Sequence, residues 1–398
     1  MSKQVQDAYV VAAVRTPVGK APRGVFRTTR PDDLLAHVLR AALERCPQLD
    51  PAAVEDVIAG CAMPEAEQGL NVARVGLLLA GLPDSVPGVT VNRFCASGLE
   101  AVAQAANRIR LGEADVMMAA GTESMSLIPM GGHRMAVNPR VFADADVAIA
   151  YGMGITAEKV AQRWQVSRED QDQFALTSHQ RALEATRSGG FRDEIAPYPV
   201  RTVRPDPTHA EVIDEIHEVA QDEGPRADTS LEALARLAPV FARAGTVTAG
   251  NSSQMSDGAG AVVLAGERAL KDHGLAPLAR FVGYAVAGVP PEIMGIGPKE
   301  AIPRALARTG LHQEDFDWIE LNEAFAAQSL AVMRDLGLDP ARVNPQGGAI
   351  ALGHPLGATG AIRTATLVHG LRRINGRYGM VTMCVGTGMG AAGVFEAL

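Results

Sequence analysis

The sequence predicts an α/β protein of two similar halves, with a long excursion carried on the first. Short and almost wholly apolar strand segments alternate with amphipathic helical stretches, the texture of sheets covered on both faces. The element order of residues 1–121 returns over 271–398, while 122–248 breaks the alternation. That places a first domain at 1–270, with the 122–248 excursion inserted in it, and a second at 271–398.

Each element follows from its pattern. Tyr9 to Val14 is a short apolar strand. In D-D-L-L-A-H-V-L-R-A-A-L-E-R-C (32–46), Leu34, Leu35, Val38, Leu39, Ala42 and Leu43 fall on one helical stripe, with Asp32 and Asp33 suited to its start. Val57 to Ala59 is a strand, 71–81 a helix and 88–94 a strand. A helix opens near Cys95 and runs to about Leu111, and a strand follows at 115–120. The excursion holds G-G-H-R-M, a helix-like run over 167–189 and a polar, proline-dotted stretch over 197–228. Strand character returns at Ala261 to Leu264. In the last part, the strand at 316–320 echoes 56–60, and G-M-V-T-M-C-V-G echoes A-D-V-M-M-A-A-G. Ala358-Thr359-Gly360 before an Ala-rich helix echoes Ala96-Ser97-Gly98 before another, and Gly386-Thr387 with Met389 echoes Gly121-Thr122 with Met125.

Composition bounds the function. A chain of 398 residues, 47% hydrophobic, can bury large cores and divide into domains. Its net charge of -8 argues against a general nucleic-acid surface but leaves room for a local Arg patch facing a small anion. The apolar run near the N-terminus is broken by Arg15 and is too short for a signal sequence. No apolar run approaches the roughly 18 residues of a membrane span. Four scattered cysteines do not make a disulfide framework, so the reading is a reduced, cytoplasmic protein.

Those cysteines need another explanation. In T-V-N-R-F-C-A-S-G, Cys95 stands where a strand gives way to a helix. A sulfur there sits beside unpaired N–H groups and the positive end of the helix dipole, which lowers a thiol pKa. The alternative is a small buried hydrophobe. Asn322 and Glu323 stand where a strand should end and a helix begin. His354 is held between Gly353 and Pro355 in a loop, whereas a core histidine is usually found inside an element. Cys384 ends a strand, and the glycines after it can present N–H groups to an oxyanion. A cysteine, a histidine and a second cysteine at strand ends fit nucleophilic acyl transfer.

Two other motifs fail. Gly386 to Ala391 satisfies G-x-G-x-x-A, but the chain ends at Leu398, without the βαβ unit and acidic residue a dinucleotide site needs. No C-x-x-C or H-E-x-x-H occurs and the histidines do not cluster, so no metal site is expected.

V-N-R-F-C-A-S-G-L-E, N-E-A-F-A-A, G-G-A-I-A-L-G-H-P-L-G-A-T-G and C-V-G-T-G-M-G resemble, in order, the four signature blocks of the thiolases. The resemblance runs from V-V-A-A-V-R-T-P-V-G-K to the closing G-V-F-E. It implies the thiolase fold, two βαβαβαββ halves packed as a five-layer αβαβα sandwich. It also implies an acyl-CoA:acetyl-CoA C-acyltransferase with 3-ketoacyl-CoA, CoA and acetyl-CoA as substrates, CoA being a co-substrate rather than a bound cofactor. By position, the nucleophile falls on Cys95, the activating histidine on His354, a water-holding asparagine on Asn322 and the acid–base cysteine on Cys384. The resemblance implies one oxyanion hole from His354 with the water on Asn322, and another from the N–H groups of Cys95 and Gly386. Ser253 in T-A-G-N-S-S matches a pantetheine contact, and Arg226 in G-P-R-A-D-T an arginine at the nucleotide end of CoA. Met153 and Met294 match residues lining the acyl and pantetheine pocket. A homo-oligomer, dimer or tetramer, is implied as well.

One departure concerns the substrate. Acetoacetyl-CoA enzymes usually carry a histidine directly before the methionine of the M-G-x-T block, and here that place is Gly152. The expectation is a broader, degradative 3-ketoacyl-CoA thiolase, with Met125, Met130, Met135 and Met153 offering adaptable side chains over the acyl group. The alternatives are a strict acetoacetyl-CoA thiolase and an inactive lipid-binding or scaffold relative. Against the last, Cys95, Asn322, His354 and Cys384 are all in place. A related ketoacyl synthase would carry a second histidine or an asparagine where this chain has Cys384.

Overall fold

A computed structural model describes residues 5–143, 148–206, 208–209 and 211–398. The first half runs β1 (Ala8–Arg15), α1 (Pro31–Glu44), β2 (Val57–Gly60), α2 (Val72–Leu79), β3 (Gly88–Val91), α3 (Ser97–Arg110) and β4 (Val116–Ser124). After the excursion it closes with β7 (Ser256–Gly266). Within the excursion lie α4 (Met153–Arg163), α5 (Arg168–Arg187) and a hairpin, β5 (Tyr198–Asp206) with β6 (Glu211–Val219). The second half is β8 (Ala279–Gly288), α6 (Gly297–Thr309), β9 (Phe316–Leu321), α7 (Ala326–Leu336), α8 (Thr359–Ile374), β10 (Tyr378–Val385) and β11 (Met389–Ala397).

The two halves share one topology. Strand order in the first is β3-β2-β4-β7-β1, and in the second β9-β10-β11-β8. The second half's counterpart of β3 shrinks to a single parallel bridge, Val343 beside Ile319, at the outer edge of β9. The βαβαβαββ pattern is thus complete in the first half and shortened by one strand in the second. A three-residue antiparallel ladder, Ala8–Val10 against Ala279–Phe281, joins the two sheets edge to edge.

Three apolar clusters make the five layers. Leu34, Leu35, Val38 and Leu39 of α1 and Leu77 of α2 cover the outer face of the first sheet. Ala301, Ile302 and Ala305 of α6, with Val332 of α7, cover the outer face of the second. Between the sheets, α3 and α8 bury Leu99, Val102, Ile109, Leu367, Val368 and Leu371 against Val262, Leu264, Phe281 and Phe395. Sandwiched on both sides, these helices carry apolar or small residues around most of their girth rather than on one stripe.

The Ala-Ser-Gly and Ala-Thr-Gly echoes acquire a physical meaning here. A Cβ on Gly360 would lie 2.0 Å from the backbone N of Leu99, and one on Gly98 would lie 2.7 Å from that of Ala361. The central helices therefore start backbone against backbone, which only glycine permits. That contact brings the segments before both helices, which carry Cys95 and His354, to one place.

Candidate active site

Cys95 sits in a single 3-10 turn, Phe94–Ala96, that leads into α3. Phe94 adopts the left-handed region (φ 44°), a conformation that costs a non-glycine residue energy and must be held by its surroundings. Asn92 Oδ1 accepts its N–H at 2.8 Å and Ser97 Oγ donates to its carbonyl at 2.6 Å. The Cys95 side chain is partly exposed and packs against the apolar cluster of Ala62, Met125 and Leu356. The N–H groups of Cys95 itself and of Gly386 lie near enough to its sulfur to favour the thiolate, and burial nevertheless pushes the thiol up to about 11. The expected lowering by a helix start is overturned. Helix α3 begins only at Ser97, and loss of water outweighs the two N–H groups.

His354 is buried in the loop before α8. Its N–H donates to Ser256 Oγ at 3.0 Å, and its Nδ1 lies 2.7 Å from Thr359 Oγ1. Asn322 Nδ2 lies 3.3 Å from His354 Nε2. These contacts fit the tautomer in which Nδ1–H donates to Thr359 and Nε2 offers its lone pair. Asn322 Oδ1, although buried, has no protein partner. Burial, with the charge of Arg363, lowers the imidazole to about 3.

The thiol and imidazole therefore rest as a neutral pair. Alkylation of Cys95 by iodoacetamide should quicken about tenfold per pH unit through neutrality, levelling only near its thiol value of about 11. A rate flat across neutral pH would instead mean a resting thiolate–imidazolium pair.

Cys384 is the penultimate residue of β10, fully buried in a cluster with Met294, Ala324 and Phe325 on which Met153 packs. Burial and the neighbouring Cys95 push its thiol up. Gly386 heads the turn between β10 and β11, and a Cβ there would lie 3.7 Å from the Phe94 ring and 3.8 Å from Met153 Sδ. Asn322 follows β9, its N–H donated to Thr382 of β10 at 2.9 Å. The structure thus brings Cys384, Met153 and Met294 into one cluster, with Gly386 beside Met153 and Cys95 close by, and pairs His354 with Asn322. Leu356, two residues past His354, belongs to the apolar cluster on which Cys95 packs.

Of the residues expected to meet CoA, Arg226 lines a cleft of about 340 Å³ with Lys20, His179, Leu234, Ala249 and Gln254 among others, whereas Ser253, Met153 and Met294 are not in its lining. Arg226 is exposed and paired with Asp228 at 3.0 Å, and its N–H donates to His179 Nδ1 at 3.2 Å. Ser253 is half-buried, with its N–H donated to the Ala324 carbonyl at 3.0 Å. Its neighbour Gln254 accepts the His354 N–H at 3.2 Å, so the turn links cleft to histidine. Of the four methionines expected over the acyl group, Met125 belongs to the cluster on which Cys95 packs, and Met153 packs on the cluster that holds Cys384. Met130 and Met135 point to solvent.

The roles of several supporting residues escaped the reading of the sequence. Thr359 orients the imidazole. Glu323, buried, accepts from Ser178 Oγ at 2.7 Å, Asn344 Nδ2 at 2.8 Å and the Ile350 N–H at 3.2 Å, which ties down the loop leading to His354. Its position directly after Asn322, at a strand end, was the available signal. Among the described residues, no group of three or more His, Cys, Asp or Glu side chains is arranged to hold a metal, and no helix is long and apolar enough to cross a membrane.

The thiolase N-terminal domain family matches residues 8–268, and the thiolase C-terminal domain family residues 275–397. The chain belongs to the thiolase family. It is 52% identical to the 3-ketoacyl-CoA thiolase of Bacillus subtilis, over 98% of this chain and 100% of that one. It is 47% identical to the beta-ketoadipyl-CoA thiolase of Pseudomonas aeruginosa, over 98% and 99%. The crystal structure of the Bacillus anthracis acetyl-CoA acetyltransferase superposes with a TM-score of 0.89 at 40% identity, covering 100% of both chains. As a thiolase, the protein is an acyltransferase that works through a cysteine and uses CoA as a substrate.

Proposed function

We propose that this thiolase cleaves 3-ketoacyl-CoA with acyl chains longer than acetoacetyl, through an acyl group carried on Cys95. The observation that carries the chain-length reading is Gly152. It is exposed, and a Cβ built on it meets nothing within 4 Å, so the place where short-chain enzymes carry a histidine is open space beside Met153. The B. subtilis relative, which bears the name 3-ketoacyl-CoA thiolase, supports the same reading.

The chemistry follows from the groups. Cys95 passes its proton to His354 Nε2 and attacks the 3-keto carbon, whose oxygen gathers charge between the N–H groups of Cys95 and Gly386. Collapse breaks the C2–C3 bond. The enolate oxygen of the departing acetyl-CoA faces the protonated His354 and Asn322, and Cys384 gives its proton to C2. Free CoA returns a proton to the Cys384 thiolate, and its own thiolate takes the acyl group from Cys95. The Cys95 thiolate then recovers its proton from His354. Each step is reversible, so the same site condenses two acyl-CoA molecules. The high proton affinity of buried Cys384 suits it to hold its proton until a carbanion forms. Pairing of two chains through the free edge of β3, which bonds only β2 among the described strands, belongs to the same reading.

An assay series of ketoacyl chains at saturating CoA tests the substrate. Each added methylene that finds apolar lining contributes about 0.8 kcal/mol, so six- and eight-carbon substrates should be cleaved at least as efficiently as acetoacetyl-CoA. Gly152→His should depress the longer substrates selectively. A steep fall beyond four carbons in the unmodified enzyme would assign it to acetoacetyl-CoA.

A further inference from the structure

We propose that Glu123 is the positioning residue that sets Cys95 against His354, by clasping two backbone segments that wall the thiol. The proposal rests on Cys95 being the nucleophile. Glu123 lies near the end of β4 and is fully buried. Its Oε2 accepts the N–H of Ala62 at 2.8 Å and that of Gly357 at 2.8 Å. Its Oε1 accepts the N–H of Met63 at 3.2 Å and a hydrogen bond from Gln68 Nε2. No cation is among these partners. Backbone and amide dipoles alone hold the charge, an arrangement with little slack because each buried acceptor is already committed.

What the carboxylate holds gives it a role. Ala62 and Met63 belong to the first half, and Gly357 lies three residues past His354 in the second. Ala62 and Leu356, one from each segment, belong with Met125 to the apolar cluster on which Cys95 packs, and Met63 packs on the same cluster. The junction is tight, since a Cβ on Gly357 would lie 2.6 Å from the Ala62 N and one on Gly121 would lie 2.4 Å from the Gly357 carbonyl oxygen. One side chain therefore fixes the walls on the nucleophile's side to the segment that carries the base. The negative charge also sits near enough to Cys95 to oppose thiolate formation. Besides Cys95, the junction holds Cys61, whose Sγ is 4.0 Å from Glu123 Oε1 and whose thiol is pushed up by burial and by this carboxylate. Glu123 touches neither reacting atom and acts only through these segments.

Two variants test this in the full-length enzyme. Glu123→Gln removes the charge and turns one acceptor into a donor facing N–H groups. It should lower kcat by about 100-fold, leave KM for CoA within about twofold, and move Cys95 alkylation by iodoacetamide to lower pH. Gln68→Met keeps the carboxylate but removes one of its donors, and should lower kcat by about tenfold with the same unchanged KM; it also serves if Glu123→Gln does not fold. Cys95 acylation by acetoacetyl-CoA is followed by peptide mass spectrometry throughout. Unmodified enzyme that fails to acylate Cys95 would overturn the nucleophile reading. Acylated unmodified enzyme, with both variants within about threefold in kcat or an unmoved alkylation profile in Glu123→Gln, would overturn the role of Glu123.

Discussion

Cys95→Ser is expected to cut thiolysis by at least about 10³-fold while the protein keeps its fold and its cleft for CoA. A hydroxyl is close in size to a thiol, so the packing against Met125 and Leu356 survives. Its proton is far harder to remove, and the neutral His354 has only two ordinary N–H groups beside the sulfur to help it. KM for CoA should change little, because the lost interaction exists in the transition state rather than the ground state. Residual activity within tenfold of the unmodified enzyme would mean that some other group carries the acyl chain.

The second large effect concerns Cys384. Cys384→Ala should lower turnover by about 10²- to 10⁴-fold, the range of a single general acid–base group. It should leave Cys95 open to iodoacetamide, because Cys384 packs with Met153 and Met294 rather than holding the turn at Phe94. Steady-state rates and alkylation rates, measured on one preparation, separate the two roles. Loss of Cys95 alkylation together with turnover would make Cys384 a packing residue instead.

How much of this the sequence carried depended on whether a residue faced a core. Most strands of both sheets are buried over nearly their whole length, and apolar runs announced them; β4 and β7 are buried at every position, whereas β8, buried only at alternate positions, went unread. The central helices were legible for the same reason. The hairpin β5–β6 was not, because Val203, Val212 and Ile216 face solvent and its strands alternate with charged residues and prolines that read as loop. The shortened edge at Val343 was equally silent, since one bridge leaves no period to read. At the site, the glycine-flanked blocks exposed Cys95, His354 and Cys384. Thr359, Glu323 and Glu123 act through backbone and through other side chains, a role that only folded proximity reveals. The thiol of Cys95 misled for a related reason, since a helix start is local while the burial that outweighs it comes from both halves.

The central claim is a covalent acyl group on Cys95. Incubation with acetoacetyl-CoA in the absence of free CoA, followed by acid quench and peptide mass mapping, tests it directly. The expected result is an acetyl group on the peptide containing Cys95, on none containing Cys46, Cys61 or Cys384, and its disappearance when CoA is added before the quench. Acetyl found only on another residue, or on none while acetyl-CoA is still released, would contradict the account.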